Sequence, residues 1–295
     1  MPHPSLGIDH CFALVHDLET AAAQYRKLGF TLSPRGEHSA EKGSANYTIM
    51  FPNDYFELLG LTARTPLNSS RAEILQKQGE GLHAIACRIK DAAAGAEALK
   101  ALGISAGKTG SFERPVPLPG GGTARAAFTT LPFAPAEVPR GIVFMCEHHT
   151  PDSVWLPELI DHPNGASGLS AIVALSDAPV HEAAQFARLW AEGRVTTTAE
   201  ETRIDTGPAS APVILMTPAQ MAQAYPGVDA TGTAEGAFTV LRLSSDALEQ
   251  SRAAVEATGI RPIPTARGFA IPAEYASGVV LEFCAKASDA ERSRS

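Results

Sequence analysis

HCFALVHDLETAAAQYRKLGF, residues 10–30, carries three signals in one run. Its opening is apolar, with aromatic or β-branched residues at alternate positions, which reads as a strand with one buried face. Asp17 follows where a carboxylate can accept from the free amides of a first helical turn. AAAQYRKL is rich in helix formers with apolar residues three and four apart, and Gly29 supplies a left-handed stop before Phe30 resumes extended chain. The same order returns in HAIACRIKDAAAGAEALKALGI at 83–104, SAIVALSDAPVHEAAQFARLWAEGRV at 170–195 and FTVLRLSSDALEQSRAAVEATGI at 238–260. Asp91, Asp177 and Asp246 take the place of Asp17 in these copies, and Gly103, Gly193 and Gly259 that of Gly29.

Strand signals follow each helix. The first repeat continues with FTLSPR, SANYTIMF and YFELLGL, and the second with ISAGKTGSF, TARAAFTTL and GIVFMCE. The fourth has IRPIPT, GFAIP and GVVLEFCA, while the third is least regular, with RVTTTAEETRID and PVILMT. The spacing predicts an α+β fold of four tandem βαβββ modules. Residues 65–79 and 217–227 read as linker helices within each pair, and the Pro-rich stretch around 151–167 joins the pairs. The expected organisation is therefore a module pair over 1–150, a linker over 151–167, a second pair over 168–286 and a flexible tail over 287–295.

Bulk properties narrow the partners. A length of 295 residues accommodates two domains with a core each, and 44% apolar with 19% charged residues argues against extensive disorder. The net charge of -8 disfavours nucleic acid and anionic membranes, which reward clustered Lys and Arg, so a small-molecule substrate is expected. No apolar run approaches the roughly 18 residues of a spanning helix and no leader-like segment opens the chain, which predicts a cytoplasmic protein. Cys11, Cys87, Cys146 and Cys284 stand singly in apolar runs without CxxC spacing, as expected of buried reduced thiols.

Two repeats open on histidine, His10 and His83, and two on Ser170 and Phe238. That asymmetry predicts one half equipped for chemistry and one half without metal ligands. Glu57 lies among Tyr55, Phe56, Leu58 and Leu59, where a carboxylate needs a cation or a hydrogen-bond partner. Two imidazoles and one or two carboxylates suit a divalent ion that keeps positions open for substrate.

Tandem βαβββ units with histidine in a first strand and glutamate in a last strand resemble the vicinal oxygen chelate superfamily, which includes glyoxalase I, bleomycin-resistance proteins and extradiol dioxygenases such as the dihydroxybiphenyl type. The resemblance covers nearly the whole chain and is sharpest in DHCFALVHDLETAAAQYRKLGFTLSPRG and YFELLG, which are similar to bacterial glyoxalase-like domains. It implies that paired modules curl into two mixed-sheet cups, the N-terminal one holding a divalent metal (Zn, Ni, Mn or Fe). His10, Glu57 and His83 match the implied ligand positions. Aligning GIVFMCE with GVVLEFCA through Gly141 and Gly278 sets Met145 opposite Glu282, leaving Glu147, on the same strand face, as the expected fourth ligand.

Arg35, His38, Asn46, Arg125 and His148 are further pocket candidates, with solvent-exposed roles equally open. The implied activity is that of a metal-dependent lyase or isomerase on a small oxygen-chelating substrate, with Glu57 or Glu147 moving a proton. An extradiol-type ring-cleaving dioxygenase and a metal-free binding or resistance protein are the alternatives. A monomer or a homodimer is compatible with four units in one chain.

Overall fold

The first strand of each repeat lies at the centre of a sheet in the computed structural model, which describes residues 2–118, 121–229 and 237–286. The first unit contains β1 (Ile8–Val15), α1 (Leu18–Lys27), β2 (Gly36–Glu37), β3 (Ser44–Met50) and β4 (Tyr55–Leu61). After α2 (Ser69–Gln78) the second follows, with β5 (Gly81–Arg88), α3 (Ala92–Ala101), β6 (Gly110–Pro117), β7 (Thr123–Pro132) and β8 (Ile142–His148). The third unit is β9 (Ala166–Leu175), α4 (Pro179–Ala187), β10 (Val195–Thr197), β11 (Thr202–Ile204) and β12 (Val213–Met216). Beyond α5 (Pro218–Ala224) lie β13 (Val240–Ser245), α6 (Leu248–Glu256), β14 (Ile263–Pro264), β15 (Gly268–Ile271) and β16 (Val280–Ala285).

Each pair of units builds one eight-stranded mixed sheet, in the orders β2-β3-β4-β1-β5-β8-β7-β6 and β10-β11-β12-β9-β13-β16-β15-β14. Within a unit the first strand runs parallel to the last, and the two first strands of a pair run antiparallel, giving each sheet an approximate internal two-fold. Contact between the terminal strands β2 and β6 nearly closes the first sheet into a cup.

Strand alternation sorts the side chains. Cys11, Ala13 and Val15 of β1 pack beneath α1 against Ala21, Ala22 and Tyr25, while Phe12 and Leu14 face the cup. The helix-bearing faces of both sheets share one core, which runs from Tyr25 and Phe56 through Leu82 and Ile85 to Ile172, Leu241 and Phe283. The layer between the sheets is thus common to both halves, while each half also keeps a smaller buried cluster of its own. Polar ties cross the same junction: Tyr25 Oη donates to Ala276 O at 3.1 Å, and Asn164 Nδ2 donates to Leu28 O at 2.9 Å. All four cysteines are buried and free, and no helix among the described residues is long and apolar enough to cross a membrane.

Local signals succeed unevenly. Asp17 and Asp91 cap α1 and α3 by accepting from Thr20 N at 2.7 Å and Ala94 N at 2.9 Å. Asp177 and Asp246 do not cap their helices; Ser176 and Ser245 instead accept from Ala178 N and Ala247 N at the entries of α4 and α6. FTLSPR forms no strand, because Thr31 and Ser33 bond to His162, Asp161 and Thr48 outside a regular ladder, and pairing begins only at Gly36. RVTTTAEETRID splits into the hairpin β10–β11. The expected tail over 287–295 lies outside the described residues.

Asp54, in the turn between β3 and β4, is buried and accepts from Leu169 N of β9 at 3.0 Å, tying the two sheets together. Burial, opposed by that hydrogen bond and by Arg88, pushes its carboxyl up to about 7. A group that holds its proton more tightly when folded loses its stabilising contribution as pH rises from about 4, the unfolded value, toward the folded value. Stability is expected to fall across that window by up to about 1.4 kcal/mol per pH unit from this group. Asp54→Asn keeps the acceptor for Leu169 N and should flatten the decline. Urea midpoints measured across the window check this, and equal slopes for both proteins would refute it.

Candidate active site

The first cup encloses a cavity of about 540 Å³, within the size range of small-molecule sites. Its wall is built from alternate positions of neighbouring strands: His10 and Phe12 on β1, Asn46 and Thr48 on β3, Tyr55 and Glu57 on β4, and Phe144 and Cys146 on β8. The 38–42 loop contributes His38 and Lys42, α2 contributes Arg71, and β6 contributes Arg114.

A β-bulge sets the geometry of the cavity's imidazole. Ile8 pairs with Cys87 and His10 with Ala86, so Asp9 is an extra residue in β1. In a regular strand Asp9 and His10 would point to opposite faces; the bulge lets their side chains meet. His10 Nδ1 lies 2.8 Å from Asp9 Oδ1, and His148 Nε2 lies 2.9 Å from the same oxygen. Burial opposes ionisation of Asp9, but the hydrogen bonds and charge of His148 and His10 outweigh it and hold the carboxyl well below the usual range. An ionised Asp9 accepts the Nδ1 proton of His10, so in the neutral ring Nε2 carries the lone pair.

His10 Nε2 faces Glu57 Oε2 at 3.8 Å, too far for a direct hydrogen bond. Tyr55 stacks on the imidazole with ring centroids 4.2 Å apart and so fixes its plane. Asn46 Nδ2 donates to Glu57 Oε1 at 2.7 Å, leaving Oε2 free. Asn46 Oδ1 is buried without a partner among the described residues. Trp155 supports the cluster from behind, donating from Nε1 to Phe51 O at 3.0 Å and packing on Tyr55 and His148.

His10, Glu57, Asn46 and His38 thus meet in the cavity, whereas the other expected residues stand elsewhere. His83 is buried, does not line the cavity, and bonds through Nε2 to Gly79 O at 2.9 Å. Glu147 caps α3, accepting from Ala92 N at 2.9 Å. It does share a face with Met145, but that face belongs to the core beneath the helices. Arg35 pairs with Glu19 and Glu37, and Arg125 pairs with Glu113, in exposed or half-exposed positions. His148 lies behind His10 rather than in the cavity wall.

Strand register explains the slip. Phe12 pairs with Ala84 and His10 with Ala86, so the two-fold relating β1 to β5 places Ala84 opposite His10 and the bulged His83 opposite Asp9. Phe12 pairs with Glu57 and Ala86 with Phe144, which makes Phe144 the counterpart of Glu57. The same registers in the second sheet give Ala171 and Val240 for His10, and Ile214 and Glu282 for Glu57. There Glu282 Oε2 receives Arg242 Nε and Tyr225 Oη at 2.7 Å each, in a buried network.

Of the four ligand positions in the first cup, two therefore hold alanine and phenylalanine, and the four-ligand metal set implied by the sequence does not fit this cavity. Asp9, His10 and His148 do form a group able to hold an ion, their donor atoms lying within 4.8 Å of one another. Asp9 and His148 are absent from the cavity wall, so an ion there would offer substrate little access.

Positive charge dominates the rest of the cavity. Burial lowers the Arg71 and Arg114 guanidiniums, with Glu57 acting in the opposite sense, and brings Lys42 down to about 8. Burial, with Lys42, Arg114 and Arg71 nearby, lowers His38 to about 3, so His38 is neutral near pH 7. Asp9, Arg71 and Arg114 were not picked out by sequence; a buried charge in a strand or linker helix has no periodic signature, though the DH pair beginning a strand was visible.

The profile of a family described as glyoxalase-like domain matches residues 8–190. No curated protein matches the chain. A hypothetical protein from Staphylococcus aureus is similar in structure with a TM-score of 0.65 at 10% identity, over 95% of this chain and 99% of that one. A mutant 4-hydroxymandelate synthase from Streptomyces coelicolor gives 0.54 at 12% identity, over 100% and 97%. Methylmalonyl-CoA epimerase from Mycobacterium tuberculosis covers 48% of this chain and 87% of its own at 22% identity, with a TM-score of 0.37. The two full-length similarities show that the four-unit architecture is shared.

His83→Ala should cost about 1–3 kcal/mol of stability by leaving Gly79 O without its buried donor, while ligand binding in the cavity stays unchanged. Denaturation and titration of the same sample check both halves, and a variant of native stability that no longer binds would place His83 in the site.

Proposed function

The chain belongs to the glyoxalase-like domain family, and from that premise we propose that it is an isomerase- or lyase-type enzyme that moves a proton on a small oxygen-bearing substrate. The observation that carries this is the Asp9–His10 pair aimed at Glu57 inside the cavity, with Nε2 and Oε2 3.8 Å apart. A substrate carbon set off that axis and next to a carbonyl presents its proton to both groups. His10 takes the proton at Nε2, and ionised Asp9 stabilises the resulting imidazolium. Glu57 Oε2, left free by Asn46, stabilises the same cation from the cavity side and shares the proton. Return of the proton to the carbonyl carbon, with the hydroxyl proton of the first carbon passing to the former carbonyl oxygen, completes an isomerisation; expulsion of a leaving group from the carbon β to the carbonyl completes an elimination.

The substrate is a small molecule by the size of the cavity, and one chain supplies both cups, so a monomer or a homodimer serves equally. A second reading, metal dependence, is favoured by the Asp9, His10 and His148 group. A divalent ion (Zn, Ni, Mn or Fe) held there would supply Lewis acidity. Phe144 and Ala84 at the vacated ligand positions favour the first reading.

Proton washout in deuterated water, followed by NMR across a set of 2-hydroxy and 2-oxo carbonyl compounds, tests the assignment. His10→Ala should slow washout of any active compound by roughly a hundredfold or more, and Asp9→Asn by a comparable factor through the wrong tautomer. Washout untouched by His10→Ala would eliminate the proposal. A rise in melting temperature on adding Zn, Ni, Mn or Fe that Asp9→Asn abolishes would favour the metal reading.

A further inference from the structure

Lys42, Arg71 and Arg114 reach the same cavity from a loop, a helix and a strand, and none has an ion pair or side-chain hydrogen bond among the described residues. Arg114 is only 8% exposed. Its surroundings make room for it: Gly36 of β2 lies where the sheet nearly closes, and a methyl group there would collide with Asn46 and sit 2.8 Å from an Arg114 Nη. Lys42 Nζ lies 2.9 Å from the Phe112 ring centroid, and the Arg71 guanidinium 5.6 Å from that of Phe12. Aromatic faces thus hold both cations but neutralise neither.

Charge balance within the cavity is unusual for this chain. Three buried or half-buried cations face one carboxylate, Glu57, in a protein of net charge -8. Exposed Lys108 and Glu41 at the rim offset each other. Buried guanidiniums without acceptors are costly unless a ligand brings the acceptors, and Arg presents a fork matched to planar oxyanions. Phe112 and Phe128, stacked at 5.1 Å, and Phe144 supply an apolar wall beside the cations.

We propose that this wall is a recognition site for an oxyanion, and that the substrate carries a carboxylate or phosphate at one end and an aromatic-sized apolar body at the other. The inference rests on the cavity being the reaction site, since it names the class of molecule that His10 and Glu57 act upon. The oxyanion lies on Arg114, Arg71 and Lys42, the apolar body lies against the phenylalanines, and the reacting carbon is held at His10.

Calorimetric titration with phenylacetate, phenyl phosphate and neutral phenylacetamide tests it. Saturable binding of one or both anions, with the amide weaker by roughly tenfold or more, is the expected result, and the stronger anion identifies carboxylate or phosphate. Arg71→Met and Arg114→Met should each weaken the anion by a similar factor, and Arg114→Lys by less. If a variant does not fold, the acid-against-amide comparison on the unaltered chain decides. Equal affinity for amide and acids, or no anion binding at millimolar concentration, overturns the proposal. Anion binding by the unaltered chain, with no proton washout from any compound tested, would remove the catalytic assignment and leave this one standing.

Discussion

Antiparallel pairing of β1 with β5 is the constraint on which the site depends. It brings together two strands about seventy residues apart in sequence at the centre of the sheet. The bulge in that pairing turns an aspartate and a histidine, neighbours that a regular strand would separate, into a hydrogen-bonded pair. Everything chemical in the first cup is arranged around the resulting imidazole: Tyr55 under its face, Glu57 before Nε2, and Asp9 and His148 behind.

The two cups share one strand order but differ in their electrostatics. In the second, a buried carboxylate is matched inside the protein, with Arg242 and Tyr225 satisfying Glu282. In the first, cations outnumber carboxylates and several polar groups face open space. The helix-bearing faces of both sheets merge into one core, whose apolar burial offsets such local costs in the cup. The C-terminal half thus contributes framework to a site it does not line, with Asp54 and Leu169 as one of the ties.

Of the expected ligands, His10 and Glu57 line the first cavity while His83 and Glu147 stand outside its wall, for a traceable reason. His10 and Glu57 follow from a histidine opening a strand and a carboxylate within an apolar one. His83 opens the matching run of the second unit, yet the bulge puts it in the place of Asp9 and puts Ala84 in the place of His10. Glu147 was assigned by strand alternation, which holds; what alternation cannot say is which face is the cup. The glycine alignment fails similarly, because Ile142 follows Gly141 directly into pairing with Ala84, whereas a further residue separates Gly278 from Val280, the partner of Val240.

The sequence by itself determined the repeat, the βαβββ order, the helix positions and the imbalance between the halves. All are consequences of periodic burial and capping that act over a few residues. Only the tertiary structure decided which histidine meets which carboxylate, that Lys42, Arg71 and Arg114 share one cavity, and that Arg242 pairs with Glu282 in the second sheet. These outcomes depend on register and on sheet closure, and a one-residue shift in either, invisible to composition and periodicity, exchanges one face for the other.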